Sequence, residues 1–305
     1  MNILEVSSDL YLIDLPQRVK GFRRFISSWV VKKGSKAVVI DVGPSSTIND
    51  LVRALRKIGV NKVDYVLLTH IHIDHAGGIG KFLIKFPAKV VVHEFGVKHL
   101  LNPEKLWSST KQVLGKLADV YGEIQPVPSK YIHIGDIEFA GENIEVVPTP
   151  GHAPHHQSYI YKDYMFIGEL AGTHLSINDE FYLRPATPPR FIYEVMISSI
   201  DKMLKYKDMM ICFAHYGYEE SSKKMLLIAK QQLELWVNVT RNILSRYKDD
   251  IGKAKELIKE RLLKDDIYFS KYYLLEDDLR YREDYFISNS IEGIIRYVLE
   301  RMESR

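Results

Sequence analysis

Apolar positions along the chain fall into two rhythms. Short apolar runs occur at residues 10–14, 28–33, 37–40, 63–68 and 89–93. Runs of four to six such residues bounded by turn formers read as buried strands. A polar, basic segment separates the first two, and a Gly34-Ser35 turn joins the second to the third, giving an antiparallel meander. After it, Ile48, Leu51, Leu55 and Ile58 recur at helical spacing, with Ser45 or Ser46 as cap and Gly59 as stop. Helical spacing returns at 79–86, 94–101 and 103–120, the last with Asn102 as cap and Pro103 at the first position. Short strands are predicted at 131–134, 137–140 and 144–147, then a hairpin at 158–161 and 164–167 around Lys162-Asp163. Residues 171–190 have no clear period and read as a long loop, a length that compact domains usually reserve for function. A helix at 191–206 and a strand at 209–213 follow. From Glu219 onward the pattern is helical, at 222–247, 251–263 and 285–302, and glycine and proline almost vanish.

Strand 63–68 delivers the chemistry. It runs into Thr69-His70-Ile71-His72-Ile73-Asp74-His75-Ala76-Gly77-Gly78, ahead of the helix at 79–86. Imidazole with carboxylate suits zinc, iron or manganese. His70 and His72 alternate with Ile71, so in extended backbone both point to one side. Asp74 and His75 come after the chain turns and serve a second position nearby. Three imidazoles and a carboxylate cannot all bind one catalytic ion and leave it an open position, so the spacing points to two adjacent metals. Asp41 ends a buried strand, where an acid is costly unless paired or hydrogen-bonded.

The His70 to His75 stretch closely resembles the His-x-His-x-Asp-His motif of the metallo-β-lactamase superfamily, and matches to that family's other motifs follow in order. Asp41-Val42-Gly43-Pro44 precedes it. Thr149-Pro150-Gly151-His152 resembles the third motif, and Ala214-His215-Tyr216-Gly217 the fifth. Gly168-Glu169 stands where the family has Gly-Asp, so the carboxylate is kept on an arm one methylene longer.

The resemblance implies an α/β fold, the αββα four-layer sandwich, as a catalytic domain over 1–220, and the helical pattern after it reads as a C-terminal extension over 221–305. It implies that His70, His72 and His152 hold one metal and that Asp74, His75 and His215 hold a second. Glu169 then bridges the two, and Asp41 braces the metal-bearing loop. His155 and His156 are extra histidines, expected either to orient a ligand through a ring N–H or to be ordinary loop residues. His174, Tyr182 and Arg184, in the unpatterned stretch after Glu169, are candidates to line the cleft and meet substrate.

Composition narrows the rest. The 305 residues are 46% hydrophobic and 27% charged with a net charge of +3, ordinary for a globular protein and no reason to expect a nucleic-acid or membrane surface. The one cysteine, Cys212, allows no intramolecular disulfide or cysteine metal cluster and reads as a buried small hydrophobe. The N-terminus has no signal-peptide pattern, and no run of roughly 18 apolar residues predicts a membrane span. A cytoplasmic protein is expected, with a homodimer as the base-rate oligomer. The function expected is hydrolysis of a small ester-like substrate (thioester, lactone or carboxylic ester) by a water activated between two divalent ions, most simply zinc, with Asp74 as the catalytic carboxylate. The alternatives are a mononuclear-iron sulfur dioxygenase-like oxidoreductase and a phosphodiesterase or nuclease of the same superfamily. Modest charge counts against the last.

Overall fold

The computed structural model describes residues 2–303. Two sheets stack face to face. The first runs β1 (Ile3–Glu5), β2 (Leu10–Asp14), β3 (Ser27–Lys33), β4 (Lys36–Ile40), β5 (Lys62–Leu67), β6 (Lys89–Val91), β7 (Ile132–His133), in chain order. Pairing is antiparallel through β4 and parallel beyond it. The second contains β8 (Ile137–Phe139), β9 (Glu142–Pro148), β10 (Gln157–Tyr161), β11 (Tyr164–Gly168), β14 (Met210–Phe213) and β15 (Tyr218–Glu219). Its order is β15-β14-β11-β10-β9-β8, with β11 and β14 parallel. A separate hairpin joins β12 (Thr173–Ile177) to β13 (Glu180–Arg184). The stretch 171–190, expected to be irregular, is therefore a hairpin over most of its length.

Helices cover the outer faces. They are α1 (Ile48–Lys57), α2 (Ile73–Ala76), α3 (Ile79–Lys85), α4 (Glu94–Leu101), α5 (Glu104–Leu114), α6 (Lys116–Tyr121), α7 (Tyr193–Met203), α8 (Ser222–Tyr247), α9 (Ile251–Asp265) and α10 (Asp277–Glu303). The helix predicted over 103–120 breaks into α5 and α6 at Gly115, whose backbone is left-handed. α10 begins eight residues before the predicted start at 285.

The strands read as continuous apolar runs because both faces are buried. Trp29, Val31, Val38, Ile40, Leu67 and Val91 turn inward to meet Tyr159, Tyr161, Phe166 and Cys212 of the second sheet. Val30, Val39, Val66 and Val90 turn outward against Leu51 and Leu55 of α1 and Phe82 of α3. On the far side, Met165, Ile167, Ile211 and Phe213 pack against Met196 and Ile200 of α7, Met225 and Trp236 of α8, Ile258 of α9 and Ile287 and Ile291 of α10. Each such side chain contributes on the order of 1.5–3 kcal/mol by leaving water. The result is the expected αββα sandwich, and the helices after residue 220 share one core with the second sheet.

Topology fixes the site. β4 and β5 are parallel, so their C-terminal ends, with Asp41 and the histidine turn, lie on one edge. β11 and β14 are parallel too, bringing Glu169 and His215 to a common edge. The two edges are pinned together: Tyr159 Oη donates to Leu68 O at 2.6 Å and Gln157 N–H to Thr69 O at 2.8 Å.

Candidate metal centre

The seven donors predicted from sequence converge, and they divide as expected. His70, His72, His152 and Glu169 form one group, and Asp74, His75 and His215 another; within each, the donor atoms lie within 4.8 Å of one another. Glu169 lies between them. Its Oε2 is 2.9 Å from His152 Nε2, 3.3 Å from His70 Nε2 and 3.5 Å from His75 Nε2, and its Oε1 is 3.2 Å from His215 Nε2. Asp74 Oδ2 stands 3.5 Å from His75 Nε2 and 3.7 Å from His215 Nε2.

The rings are aimed by what their other nitrogens touch. His75 Nδ1 faces Asp41 Oδ2 at 3.1 Å, His152 Nδ1 the carbonyl of Ala186 at 3.0 Å, and His215 Nδ1 the carbonyl of Phe25 at 3.1 Å. Carbonyls and carboxylates only accept, so each Nδ1 carries a proton and each Nε2 faces the centre, where its lone pair is the one a metal would take. His70 follows by one more step. Thr69 Oγ1–H donates to Asp41 Oδ2 at 2.8 Å, so its oxygen accepts from His70 Nδ1–H at 3.0 Å. His72 turns the other nitrogen inward, Nδ1 lying 3.0 Å from His152 Nε2. The Nε2 atoms of His70 and His75 are buried without a hydrogen-bond partner. Buried polar atoms are rarely left so unless an ion or water completes them. Imidazoles with two carboxylates are a borderline donor set of the kind zinc and iron take. The residues fit divalent metal ions.

Charges in the cluster respond to one another. Burial, then His75 and His72, pulls His70 well below the usual imidazole range, and burial with His152 brings His72 down to about 4. Burial opposes a charge on His75, but Asp74, Asp41 and Glu169 outweigh it and hold that ring well above the range. His152 is likewise raised by Glu169 against burial. Burial works against the Glu169 carboxylate, yet His152 and His215 keep it ionised, well below the usual carboxylate range.

Asp41 does brace the loop, since its Oδ1 also accepts the Thr69 N–H at 2.8 Å. His156 orients Glu169. Its Nδ1–H donates to Thr149 O at 2.9 Å, so Nε2 accepts the Glu169 N–H at 3.1 Å. Burial holds this ring neutral, down to about 3. A side chain at residue 168 would put its Cβ 2.3 Å from His156 Nε2, and the backbone there has φ +59°, so glycine is required. His155 accepts the Ile71 N–H at 3.4 Å and lies parallel to the His70 ring at 6.3 Å; burial, then His72 and His152, drops it to about 2.

Three expectations are corrected. His174 does not reach the centre: it stacks on Phe213 at 4.7 Å and binds Tyr216 O and Glu219 behind β14. Tyr182 and Arg184 do not face a cleft. Both are buried, Tyr182 Oη donating to Glu283 Oε2 at 3.0 Å and Arg184 Nε to the same oxygen at 2.5 Å. Glu283 lies on α10, roughly a hundred residues away, a partner no local pattern reveals.

Sequence reasoning missed Tyr121 and Phe25. Tyr121 ends α6, which packs against α2. Its hydroxyl is buried without a partner, and burial, then Asp74, raises it well above the usual phenol range. Phe25 stacks on His215 at 4.2 Å and lies 5.0 Å from Phe286. The polar run around it gave no sign of this.

Comparison with known proteins is consistent with this geometry. A family model described as the metallo-beta-lactamase superfamily matches residues 21–215. The metallo-beta-lactamase fold-containing protein ST1585 of Sulfurisphaera tokodaii is 33% identical over 229 residues, 70% of this chain and 83% of that protein. Its solved structure superposes with a TM-score of 0.68 over 93% of this chain and 98% of that one, at 24% identity. The family protein TTHA1429 of Thermus thermophilus gives 0.66 over 97% and 95%, at 17% identity. A hydroxyacylglutathione hydrolase of Buchnera aphidicola is 26% identical over 142 residues, 46% of this chain and 45% of that protein.

Proposed function

Since the chain belongs to the metallo-beta-lactamase superfamily, we propose that it is a hydrolase with a dinuclear metal centre, acting on a small thioester, lactone or carboxylic ester. The observation that carries this is the division of seven donors into two sets with Glu169 reaching both. Two divalent cations bound there would lower the pKa of a bound water from ~15.7 towards neutrality and polarise a substrate oxygen.

The chain's own residues do the rest. His70, His72 and His152 would hold one ion, Asp74, His75 and His215 the other, and Glu169 would be shared between them. The Asp74 side chain is 16% exposed against 8% or less for His70, His75, His152, Glu169 and His215, and His72 is also partly exposed, so substrate approaches past these two. Asp74, the more exposed of the two carboxylates, is the residue we assign to take the proton of the attacking water and pass it to the leaving thiolate or alkoxide. Water oxygen bonds to the carbonyl carbon, the C–S or C–O bond breaks, and an acid and a thiol or alcohol leave. The hydroxyacylglutathione hydrolase relative supports a thioester as the first substrate to try.

The test is metal content of the purified protein together with turnover of a thioester, a lactone and a bis-phosphodiester. About two zinc, iron or manganese ions per chain with ester turnover supports the proposal. One iron per chain with oxygen uptake and no hydrolysis replaces it with an oxygenase. No bound metal after reconstitution overturns it.

A further inference from the structure

We propose that α10 aims one ligand of each metal, holding in place the two backbone carbonyls that orient His215 and His152. This rests on the reading of the seven donors as a metal centre. Both carbonyls, Phe25 O and Ala186 O, belong to segments outside regular structure, 15–26 and 185–192. Such a carbonyl is only as fixed as what packs on its loop.

The first loop is clamped from one side by α10. Arg282 Nη1 donates to Gly21 O at 2.8 Å and Arg23 O at 3.2 Å. Its guanidinium sits 4.3 Å from the centre of the Phe25 ring, the ring that stacks on His215. Arg23 forks Asp278 at 2.8 and 2.9 Å. Loop and helix approach so closely that a Cβ on Gly21 would stand 2.0 Å from Asp278 O.

The second loop is tied a little further along the same helix. Ser290 Oγ donates to Pro185 O at 3.0 Å, and Thr187 Oγ1 donates to Ser290 O at 3.0 Å. Ala186 is thereby fixed on both sides. A Cβ on Gly293 would lie 2.0 Å from Thr187 O, so this contact too is backbone to backbone.

Glu283 joins the clamps. Its Oε2 takes Arg184, and its Oε1 takes Arg282 Nε and Nη2, each at 3.0 Å. Arg184, Arg282 and Glu283 are all buried, and burial of three charges is tolerated only where each is paired and hydrogen-bonded. A helix serving only as an apolar cover needs no such network facing two loops.

The experiment uses three variants of the full chain: Arg282→Met for the first loop, Ser290→Ala for the second, and Arg23→Gln as a half-exposed alternative to the first should Arg282→Met fail to fold. Two readouts are taken. Long-range proton–nitrogen NMR on the metal-free protein, at a pH high enough that both rings are neutral, reports which ring nitrogen of His152 and His215 carries the proton. Cobalt(II) titration against a chelator reports the affinity of each site. The wild type shows Nδ1–H on both rings. Arg282→Met unlocks His215 and weakens the Asp74-His75-His215 site roughly 10-fold or more, leaving the other within about threefold. Arg23→Gln does the same to a smaller degree, and Ser290→Ala unlocks His152 and weakens the other site. Equal weakening of both sites, or unchanged rings and affinities in variants that fold, overturns the proposal. Should the wild type take up no metal, the metal reading falls while the ring protons alone decide this one.

Discussion

Asp41 Oδ2 stands 3.1 Å from His75 Nδ1, and the same carboxylate holds the Thr69 backbone and hydroxyl. One acid thus orients a ligand of each set, His75 directly and His70 through Thr69. Asp41→Asn keeps the shape and the left-handed backbone (φ 53°), which asparagine tolerates. It loses the charge that favours His75 Nδ1–H. Metal affinity falls roughly 10- to 100-fold without loss of fold, measured by competition with a chelator.

Glu169→Asp shortens the bridge by one methylene. The His156 brace acts on the backbone N–H and survives, so the shorter carboxylate cannot follow the ligands. It no longer touches His152 and His215 at once. Metal per chain drops towards one and ester turnover falls at least tenfold, of the order seen when a transition-state contact is lost. Elemental analysis with kcat/KM on the same preparation checks this; unchanged values for both sink the bridging role.

Tyr121→Phe separates function from stability. The hydroxyl is buried, unpartnered and within the field of Asp74. Removing it relieves an unsatisfied polar group, so Tm holds or rises. Because the hydroxyl is closed off from solvent, any change in kcat/KM reports a shift of α6 against Asp74 rather than a lost substrate contact. A lower Tm with unchanged kcat/KM gives the hydroxyl a purely structural role.

Metal uptake releases protons. His75 is held well above the ordinary imidazole value by Asp74, Asp41 and Glu169, and His152 is raised by Glu169, so the metal-free protein keeps protons there to higher pH than free imidazole would. The lone pairs are free only after those protons leave, so affinity rises with pH and levels off above the raised values. Calorimetry in buffers of different ionisation enthalpy should count about one to two protons released at pH 7, and fewer for Glu169→Gln.

Acid acts on α10 through Glu283. Arg184 and Arg282 outweigh burial and bring its carboxyl down to about 2 from 4.5. A lowered native pKa stabilises the fold above the unfolded value, and that stability is lost as pH falls from 4.5 through 2. Glu283→Gln should flatten the pH dependence of unfolding over this window. At pH 7 it leaves two buried arginines short of charge and costs about 3–5 kcal/mol, read from denaturant unfolding.

Much of this was legible in the sequence because period and chemistry coincide. Strands buried on both faces appear as unbroken apolar runs, and every donor sits just past one. The carboxylate of Glu169 was identified despite its extra methylene because it follows a strand and a glycine. Residues 173–184 hid their hairpin for a physical reason. His174 and Arg184 turn inward, so polar letters occupy buried positions and the alternation of a half-buried strand is lost. Their partners are Glu219 and Glu283, far along the chain. The first turns of α10 were missed likewise, because Arg282 and Glu283 fill core positions with charges. Tyr121 and Phe25 carried no local mark, since their importance comes from what lies across the fold.

The order of the chain gives α10 a consequence for how the molecule is made. All seven donors precede it, with His215 the last, and α10 begins at Asp277. On the ribosome the donors emerge first, while the helix that fastens the Phe25 and Ala186 carbonyls is still unsynthesised. On the proposed reading, His152 and His215 are not yet aimed at that stage. α10 is then a latch closed late, after every donor has already emerged.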